Sequence, residues 1–520
     1  TTISVTSASI PGGLKTSELR KPKAAVPKRF LDDDVRPSDS PNHSLDFESM
    51  PLVGRDKEAS KLKQCFDRMI ETPEDSHDAS SERKKELVLI EGISGAGKSA
   101  VALTLQKEVA EHIGGIFVAG KFDMNTSSEP YSGICKAFGA LCQKIQESSA
   151  EAICTVQAGI NEHLGSDVEL LVHLIPELKG LVSDTINDPA ITDLGTDEIE
   201  SRLERLRFGF RVLMRVFSSV FSPFVLFMDD LQWADVSSLQ VLEFLISDTQ
   251  NENGLMIIGC YRSDEVDENS MLHNKIVVLQ EMTEKYKFLV TKIPVGAFGL
   301  NEIEQVISSV LPNPNVAATL ALAKICLKRT LGNPFFVLEF LKMLHHEGLV
   351  LCDVDAKIWT WNVDKVDAET MSTANVVVML HNQLTKLPQQ VQALLQCASY
   401  LGSTFSESII DLVWTTYGRR LVESRIESTA SLLEVIVKEE ILEKRDNSQY
   451  RWVHDKLQEA ALTLTGERRE SFQLDIGRTL YYGLDKKQVE DELFTIVDLI
   501  NNGNVLRLSE FAKANLRAAE

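Results

Sequence analysis

Eight consecutive residues, Gly92-Ile93-Ser94-Gly95-Ala96-Gly97-Lys98-Ser99, fit the pattern G-x-x-x-x-G-K-[ST] in full. The chemistry of such a run is phosphate binding. Its glycines let backbone N–H groups curl around phosphate oxygens, and a helix starting at the loop, with Ala100 in its first turn, adds the positive end of its dipole. Lys98 would reach the β and γ phosphates, and the Ser99 hydroxyl would ligate Mg²⁺. A phosphate-bound Mg²⁺ needs a second protein oxygen from a neighbouring strand end. The apolar run Phe224 to Met228 ends in Asp229-Asp230 and supplies one. Asp229 is assigned to the metal. Asp230 is assigned to polarising the attacking water, where glutamate is the usual residue; a strand-end turn or a helix cap is the other reading of the pair. A further run, Gly259-Cys260-Tyr261-Arg262-Ser263-Asp264, sets Arg262 where a γ-phosphate sensor would sit. Surface pairing of Arg262 with Asp264 or Glu265 is the alternative.

These residues need a scaffold that brings strand ends together. Leu87 to Glu91 reads as a short buried strand and Val101 to Ile113 as the amphipathic helix after the loop. Apolar runs at Gly115 to Phe122, Phe224 to Met228, Leu255 to Tyr261 and Phe288 to Ile293 complete five strands, and helices between buried strands imply a parallel sheet covered on both faces. The acidic stretches Glu71 to Lys85 and Asp184 to Arg202 read as surface insertions. After Phe298 helical spacing takes over: Leu300, Ile303, Val306, Ile307 and Val310 share a face, and a second helix starts at Asn333-Pro334, where Asn suits the N-cap and Pro the first helical position. A hairpin is expected from Leu349 to Cys352 and Lys357 to Trp361. Helices follow near Asn375 to Lys386, Gln389 to Leu401, Ser406 to Thr416 and Leu421 to Glu440, then a strand-turn-strand at Ile441 to Lys444 and Gln449 to Val453. Helices closed by a small hairpin point to a winged-helix domain.

The chain has 520 residues, for which about 150 per domain gives three to four domains. Its 54 Lys and Arg against 76 Asp and Glu leave a net charge of −22, which disfavours a nucleic-acid coat or a polybasic membrane binder. The arginines Arg419, Arg420 and Arg425 form a local basic patch, but the acids between Lys438 and Asp455 offset the bases there, which argues against DNA as a partner. Eight cysteines without a C-x-x-C pair sit in apolar stretches, as buried thiols do in a reducing compartment; neither a disulfide framework nor a zinc site is indicated. The run Val216 to Met228 is broken by serines and Pro223 and is too short to span a bilayer. A cytoplasmic setting is expected. The first residues mix Ser, Thr, Pro and Lys and read as a disordered arm, although the basic start up to Arg29 also fits a transit peptide. A chain that begins at Thr1 and ends within the helical pattern Leu508 to Ala519 reads as a fragment of a longer protein.

Leu52-Val53-Gly54-Arg55, the loop, Asp229-Asp230-Leu231-Gln232-Trp233-Ala234-Asp235, Tyr261 to Val266, Gly332-Asn333-Pro334-Phe335-Phe336 and Tyr450-Arg451-Trp452-Val453-His454-Asp455 occur in this order. Together they resemble the signal-transduction ATPases with numerous domains, in the branch whose AAA ATPase module is origin-recognition-like and occurs in multidomain kinases, cyclases and LuxR-type regulators. The resemblance covers residues 49–520. It implies a P-loop AAA fold at 49–295, a helical lid plus hairpin at 296–372, a winged-helix-like domain at 373–480 and the start of helical repeats at 481–520, after the arm at 1–48. It also implies ATP/ADP and Mg²⁺ as ligands. Val53, Gly54 and Arg55 would lie against the adenine mostly through backbone, and Pro334 would pack on the base or ribose. His454 would touch the β-phosphate of bound ADP and hold a closed, inactive state; a capping histidine beside Asp455 is the other reading. The implied function is an ATP-binding, slowly hydrolysing switch that governs an effector such as a kinase or cyclase, with nucleotide-dependent self-association a further possibility. A AAA+ motor, a small-molecule P-loop kinase and a winged-helix DNA-binding regulator are the alternatives. Aspartate at 230 and the lack of a convincing arginine finger separate the chain from oligomeric motors.

Overall fold

Strands buried on both faces are apolar at nearly every position rather than at alternate ones. The computed structural model has five core strands, β1 Lys85–Gly92, β2 Ile116–Lys121, β3 Phe224–Asp229, β4 Leu255–Arg262 and β5 Phe288–Pro294; the central β1, β3 and β4 are buried at nearly every position, and the edge strands β2 and β5 only in part. The five form one parallel sheet in the order β2-β3-β4-β1-β5. The structure describes residues 51–503 apart from 71–84, 113, 124–129, 183–195, 312–314, 354–357, 371–375, 419–420, 422–426, 446–447, 465 and 467–468. The expected arm and the terminal helix from Leu508 lie outside the described residues, as does most of the stretch from Glu71 to Lys85.

Register brings the chemistry-bearing residues to one edge. Lys121 of β2 lies opposite Asp229 of β3, and Gly92 of β1 lies opposite Arg262 of β4. Two helices, α1 (Asp56–Ile70) and α2 (Lys98–Glu111), cover one face of the sheet, with Leu62, Phe66, Val101 and Leu105 in one core with Val88, Ile90, Val225 and Ile258. The other face is covered by α3 (Ser132–Gln146), α4 (Ala150–Leu164), α5 (Val168–Leu174), α6 (Thr196–Val220), α7 (Val236–Ile246) and α8 (Met271–Tyr286). Sequence patterning singles out only Asp184 to Arg202 between β2 and β3, a stretch that lies mostly outside the described residues, whereas four α-helices stand among the described residues of that connection. Lys85 is not surface: it is buried at the start of β1, its Nζ donating to the Asp248 carbonyl beside the Arg215–Asp248 ion pair.

Beyond β5 come α9 (Leu300–Val310), α10 (Val316–Thr330), α11 (Pro334–His346), the hairpin β6 (Val350–Asp353) and β7 (Ile358–Trp361), and α12 (Val363–Glu369). The helix at α10 has no counterpart in the sequence expectation. Then follow α13 (Val376–Thr385), α14 (Gln389–Ala398), β8 (Thr404–Ser406), α15 (Glu407–Tyr417), α16 (Thr429–Lys438), β9 (Leu442–Arg445), β10 (Gln449–Trp452), α17 (Asp455–Thr463), α18 (Arg469–Gly483), α19 (Lys486–Asp491) and α20 (Leu493–Gly503). The expected helix from Leu421 begins only at Thr429, because Ser428 caps it, accepting from the Ser431 N–H at 3.3 Å. β8, β10 and β9 form a three-stranded antiparallel sheet in that order. One apolar core runs from Val306 and Phe340 through the fully buried Trp414 to Ile500. Among the described residues no helix is long and apolar enough to cross a membrane. All eight cysteines are free; Cys154 is exposed rather than buried.

Candidate functional site: a phosphate cleft closed by the C-terminal region

The turn from β1 into α2 requires positive φ at Gly95 (+77°) and Gly97 (+93°), a conformation that side chains with a Cβ rarely adopt. A Cβ on Gly95 would also stand 2.7 Å from Asn333 Oδ1. Asn333 explains that closeness. Its Oδ1 caps α11 by accepting from the Phe336 N–H (3.3 Å), while its Nδ2 donates to the Ser94 carbonyl (2.8 Å). The Phe335 N–H donates to the Gly95 carbonyl at 3.2 Å. The helix that starts at Asn333-Pro334 is thus stitched into the loop.

Lys98 is buried and its Nζ donates to the Gly92 and Ile93 carbonyls at 3.0 and 2.9 Å. Burial lowers its pKa, with Asp230, Cys260 and Asp229 opposing. The Ser99 hydroxyl donates to Asp229 Oδ2 at 2.7 Å, and burial followed by the Asp230 charge raises the Asp229 carboxyl. A hydroxyl and a carboxylate side by side are the hard oxygens Mg²⁺ prefers, so Ser99 and Asp229 fit the ion. Bound there, Mg²⁺ would supply charge neutralisation to the phosphates. Among the described residues no group of three or more His, Cys, Asp or Glu could hold a metal.

Each polar residue of the Asp229 to Asp235 run has a task. Asp230 is buried in left-handed backbone (φ +56°). Its carboxylate meets Lys121 Nζ at 2.9 Å, Arg262 Nε at 3.5 Å and the Gln232 amide at 2.9 Å. Gln232 Oε1 in turn accepts from the Arg262 N–H at 3.1 Å, and the Trp233 ring lies 4.3 Å under the Arg262 guanidinium. Asp235 caps α7, accepting from the Ser238 N–H at 2.8 Å. Arg262 does pair with Glu265 (2.6 Å), as the surface reading has it, yet it is buried and also binds Asp455 at the start of α17. Lys121 bridges Asp230 to Asp455 (3.4 Å). For both cations burial works against the charge, but Asp230 and Asp455 outweigh it and raise the pKa. Burial likewise would raise Asp455, but Lys121, His454 and Arg262 hold it below the usual carboxylate range.

His454 is the N-cap of α17, its Nδ1 accepting from the Lys456 N–H at 3.1 Å. An accepting Nδ1 leaves the ring proton on Nε2. Burial pushes its pKa down to about 4, and the ring stacks on Phe335 with centroids 3.7 Å apart. The residue is therefore a capping histidine, and it also lines the cleft.

These groups line one cleft of about 910 Å³, a size that suits a nucleotide. Its walls include Ser94 to Ala100, Asp229, Asp230, Arg262, Val53, Arg55, Pro334 and His454. Gly54, Gly92 and Ile93 are not on its walls. Arg55 contributes its side chain, contrary to a mainly backbone role: the guanidinium donates to the Ala96 carbonyl (2.8 Å) and the Gly296 carbonyl (2.6 Å) and lies over Phe298. Lys121 is the functional residue that motif reasoning misses. It stands alone at a strand end, and only its register opposite Asp229 and the approach of Asp455 reveal it.

Residues 51–258 match the sequence family described as AAA ATPase domain. With the loop and the strand-end aspartates inside that stretch, this part of the chain is a P-loop AAA ATPase domain. Hybrid signal transduction histidine kinase G of Dictyostelium discoideum is 24% identical over 526 residues, covering 83% of this chain and 14% of that protein. Histidine protein kinase 1 of Candida albicans is 25% identical over 206 residues, covering 37% of this chain and 8% of that kinase. The chain thus spans a small part of either relative. Among solved structures, the Orc1 protein of Aeropyrum pernix in complex with DNA covers 80% of this chain and 93% of its own (14% identity, TM-score 0.33). Cdc6p of Pyrobaculum aerophilum covers 82% and 97% (14% identity, TM-score 0.35).

Proposed function

We propose that this ATPase is a slow nucleotide-driven switch that regulates a signalling effector, attached or separate. The observation that carries the reading is the grip of Lys121 and Arg262, at the phosphate end of the cleft, on Asp455 of α17. A change of nucleotide at the loop is then felt by the C-terminal region, from the lid at 296–372 through a winged-helix-like segment at 373–480. ATP binds through Lys98 and the loop, Ser99 and Asp229 hold its Mg²⁺, Arg262 senses the γ-phosphate and Asp230 orients water. Slow turnover is supported by Asp230 itself, whose carboxylate is engaged by Lys121, Arg262 and Gln232. Similarity to histidine kinases supports a kinase as the effector.

The test is phosphate release from Mg·ATP together with the scattering radius in ADP and in a slowly hydrolysed ATP analogue. Expected are turnover well below the ~1 per second at the low end of ordinary enzymes, a radius that differs between the two nucleotides, and loss of both ligands in Lys98→Ala. Motor-like turnover with a nucleotide-independent radius would remove the switch. Unchanged binding in a folded Lys98→Ala protein would remove the cleft assignment.

A further inference from the structure

Four charges close a ring at the mouth of the phosphate cleft. Lys121 touches Asp230 (2.9 Å) and Asp455 (3.4 Å), and Arg262 touches the same two carboxylates. The ring joins the ends of β2, β3 and β4 to the first residue of α17. Arg262 and Asp230 are already assigned to the reaction; Lys121 and Asp455 are not. Both cations stand on the same cleft wall as Lys98 and Ser99, and β-sheet register fixes Lys121 opposite Asp229 and Arg262 opposite the first glycine of the loop.

The charge arithmetic decides what this ring can do. Asp455 adds one negative charge to a cluster in which Lys121 and Arg262 are otherwise met by Asp230 and, at Arg262, Glu265. Without Asp455 the site beside the loop is one charge more positive, which suits an added phosphate. With Asp455 docked, a γ-phosphate would meet a carboxylate of its own sign on the same two cations. ADP ends one phosphate earlier and has no such conflict.

We infer that Lys121 is a second γ-phosphate-binding residue beside Arg262, and that Asp455 competes with the γ-phosphate of ATP for both. The inference rests on the proposed nucleotide reading of the cleft. It makes ATP binding and docking of α17 mutually opposing, whereas ADP binding and docking are compatible. Arg262 and Lys121 are not redundant. Arg262 is fixed by Trp233, Gln232 and Glu265, whereas the contacts of Lys121 Nζ are the two carboxylates, so Lys121 is the freer of the two to turn toward a phosphate.

The experiment measures dissociation constants of the whole chain for Mg·ADP and a slowly hydrolysed Mg·ATP analogue by calorimetry, with thermal unfolding as a check on folding. Asp455→Asn should tighten the ATP analogue by about tenfold or more, within the usual span of coupling between sites, and leave ADP nearly unchanged. Lys121→Gln should weaken the ATP analogue by a similar factor with little effect on ADP, and Lys121→Arg, which keeps the charge, should retain the preference. In the double variant the gain from Asp455→Asn should shrink, because part of it acts through Lys121. Parallel shifts for both nucleotides, or a full Asp455→Asn gain in the Lys121→Gln background, would make the ring a structural clamp and overturn the inference alone. Failure of the wild-type chain to bind either nucleotide would instead overturn the cleft reading from which it starts.

Discussion

Two adjacent aspartates at the end of β3 have opposite surroundings, and that difference separates the roles proposed for them. Asp229 accepts from the Ser99 hydroxyl and is raised by burial, so it is a carboxylate that gains from a cation. Asp230 already holds Lys121 and Arg262. Asp229→Asn is therefore expected to shift the Mg²⁺ concentration needed for nucleotide binding by an order of magnitude or more, as loss of a charged ligand would. Asp230→Asn should keep ATP binding and slow phosphate release by roughly 10² to 10⁴, the range for a lost general base. Magnesium titrations of binding and single-turnover phosphate release on both variants separate the roles; identical behaviour with normal hydrolysis would show the assignment to be wrong. The pair was legible in sequence because five apolar residues precede it. What Asp230 touches was not, since Lys121 lies on another strand and Asp455 is hundreds of residues away.

At the scale of elements, α11 and α17 both have N-cap residues that reach the cleft or its loop. Asn333 caps α11 and also donates to Ser94 in the loop. Asn333→Asp retains the capping oxygen and loses the donor, so it should leave the unfolding temperature nearly unchanged and weaken nucleotide binding. Asn333→Ala loses both, with about 1 kcal/mol of stability gone as for other caps. Calorimetric binding and thermal unfolding of the two variants check this, and equal loss of stability in both would leave the loop contact without a role. The N-terminus of α17 titrates. His454 is held at about 4 by burial, against 6.5 for an unperturbed ring. The unfolded chain then binds the extra proton between these values. The contribution is present above pH 6.5, falls as pH drops through the window to 4, and amounts to about 3 kcal/mol over the full shift. Urea midpoints from pH 7.5 to 4.5 should fall more steeply for wild type than for His454→Asn, which keeps a cap but cannot protonate. Sequence legibility differs among elements for physical reasons. The five strands were plain because each holds a short apolar run, such as Leu87 to Ile90 or Phe224 to Met228. The helix α10 was not: in Val316–Thr330 apolar residues occur all round the turn, from the buried Leu322 and Cys326 to the exposed Val316, so no single stripe marks it. A three-residue strand such as β8 is too short to show a period of two.

On the scale of the whole molecule, the cleft is where the AAA core, the helix α11 and the C-terminal region meet. Asp123 Oδ2 accepts from the Ser403 N–H at 2.8 Å, Lys121 and Arg262 hold Asp455, and His454 stacks on Phe335. Beside the two cations proposed for the γ-phosphate, His454 brings a donor of its own to the cleft, the Nε2–H that its accepting Nδ1 leaves. If that donor meets a phosphate oxygen of ADP, the bond is one to a charged acceptor, contributing about 1.5 to 3 kcal/mol, or one to two decades in affinity. His454→Ala should then loosen ADP by that factor and ATP much less, because in the proposed switch ATP favours the form in which α17 has left the cleft. His454→Phe separates donor from stack: it keeps an aromatic ring against Phe335 and should lose ADP affinity as the alanine variant does. Dissociation constants for both nucleotides and the scattering radius in ADP decide the matter. Retained ADP affinity in His454→Phe would assign the effect to the stack, equal losses for ADP and ATP would make His454 a helix cap alone, and a compact His454→Ala protein in ADP would remove it from the coupling between nucleotide and shape.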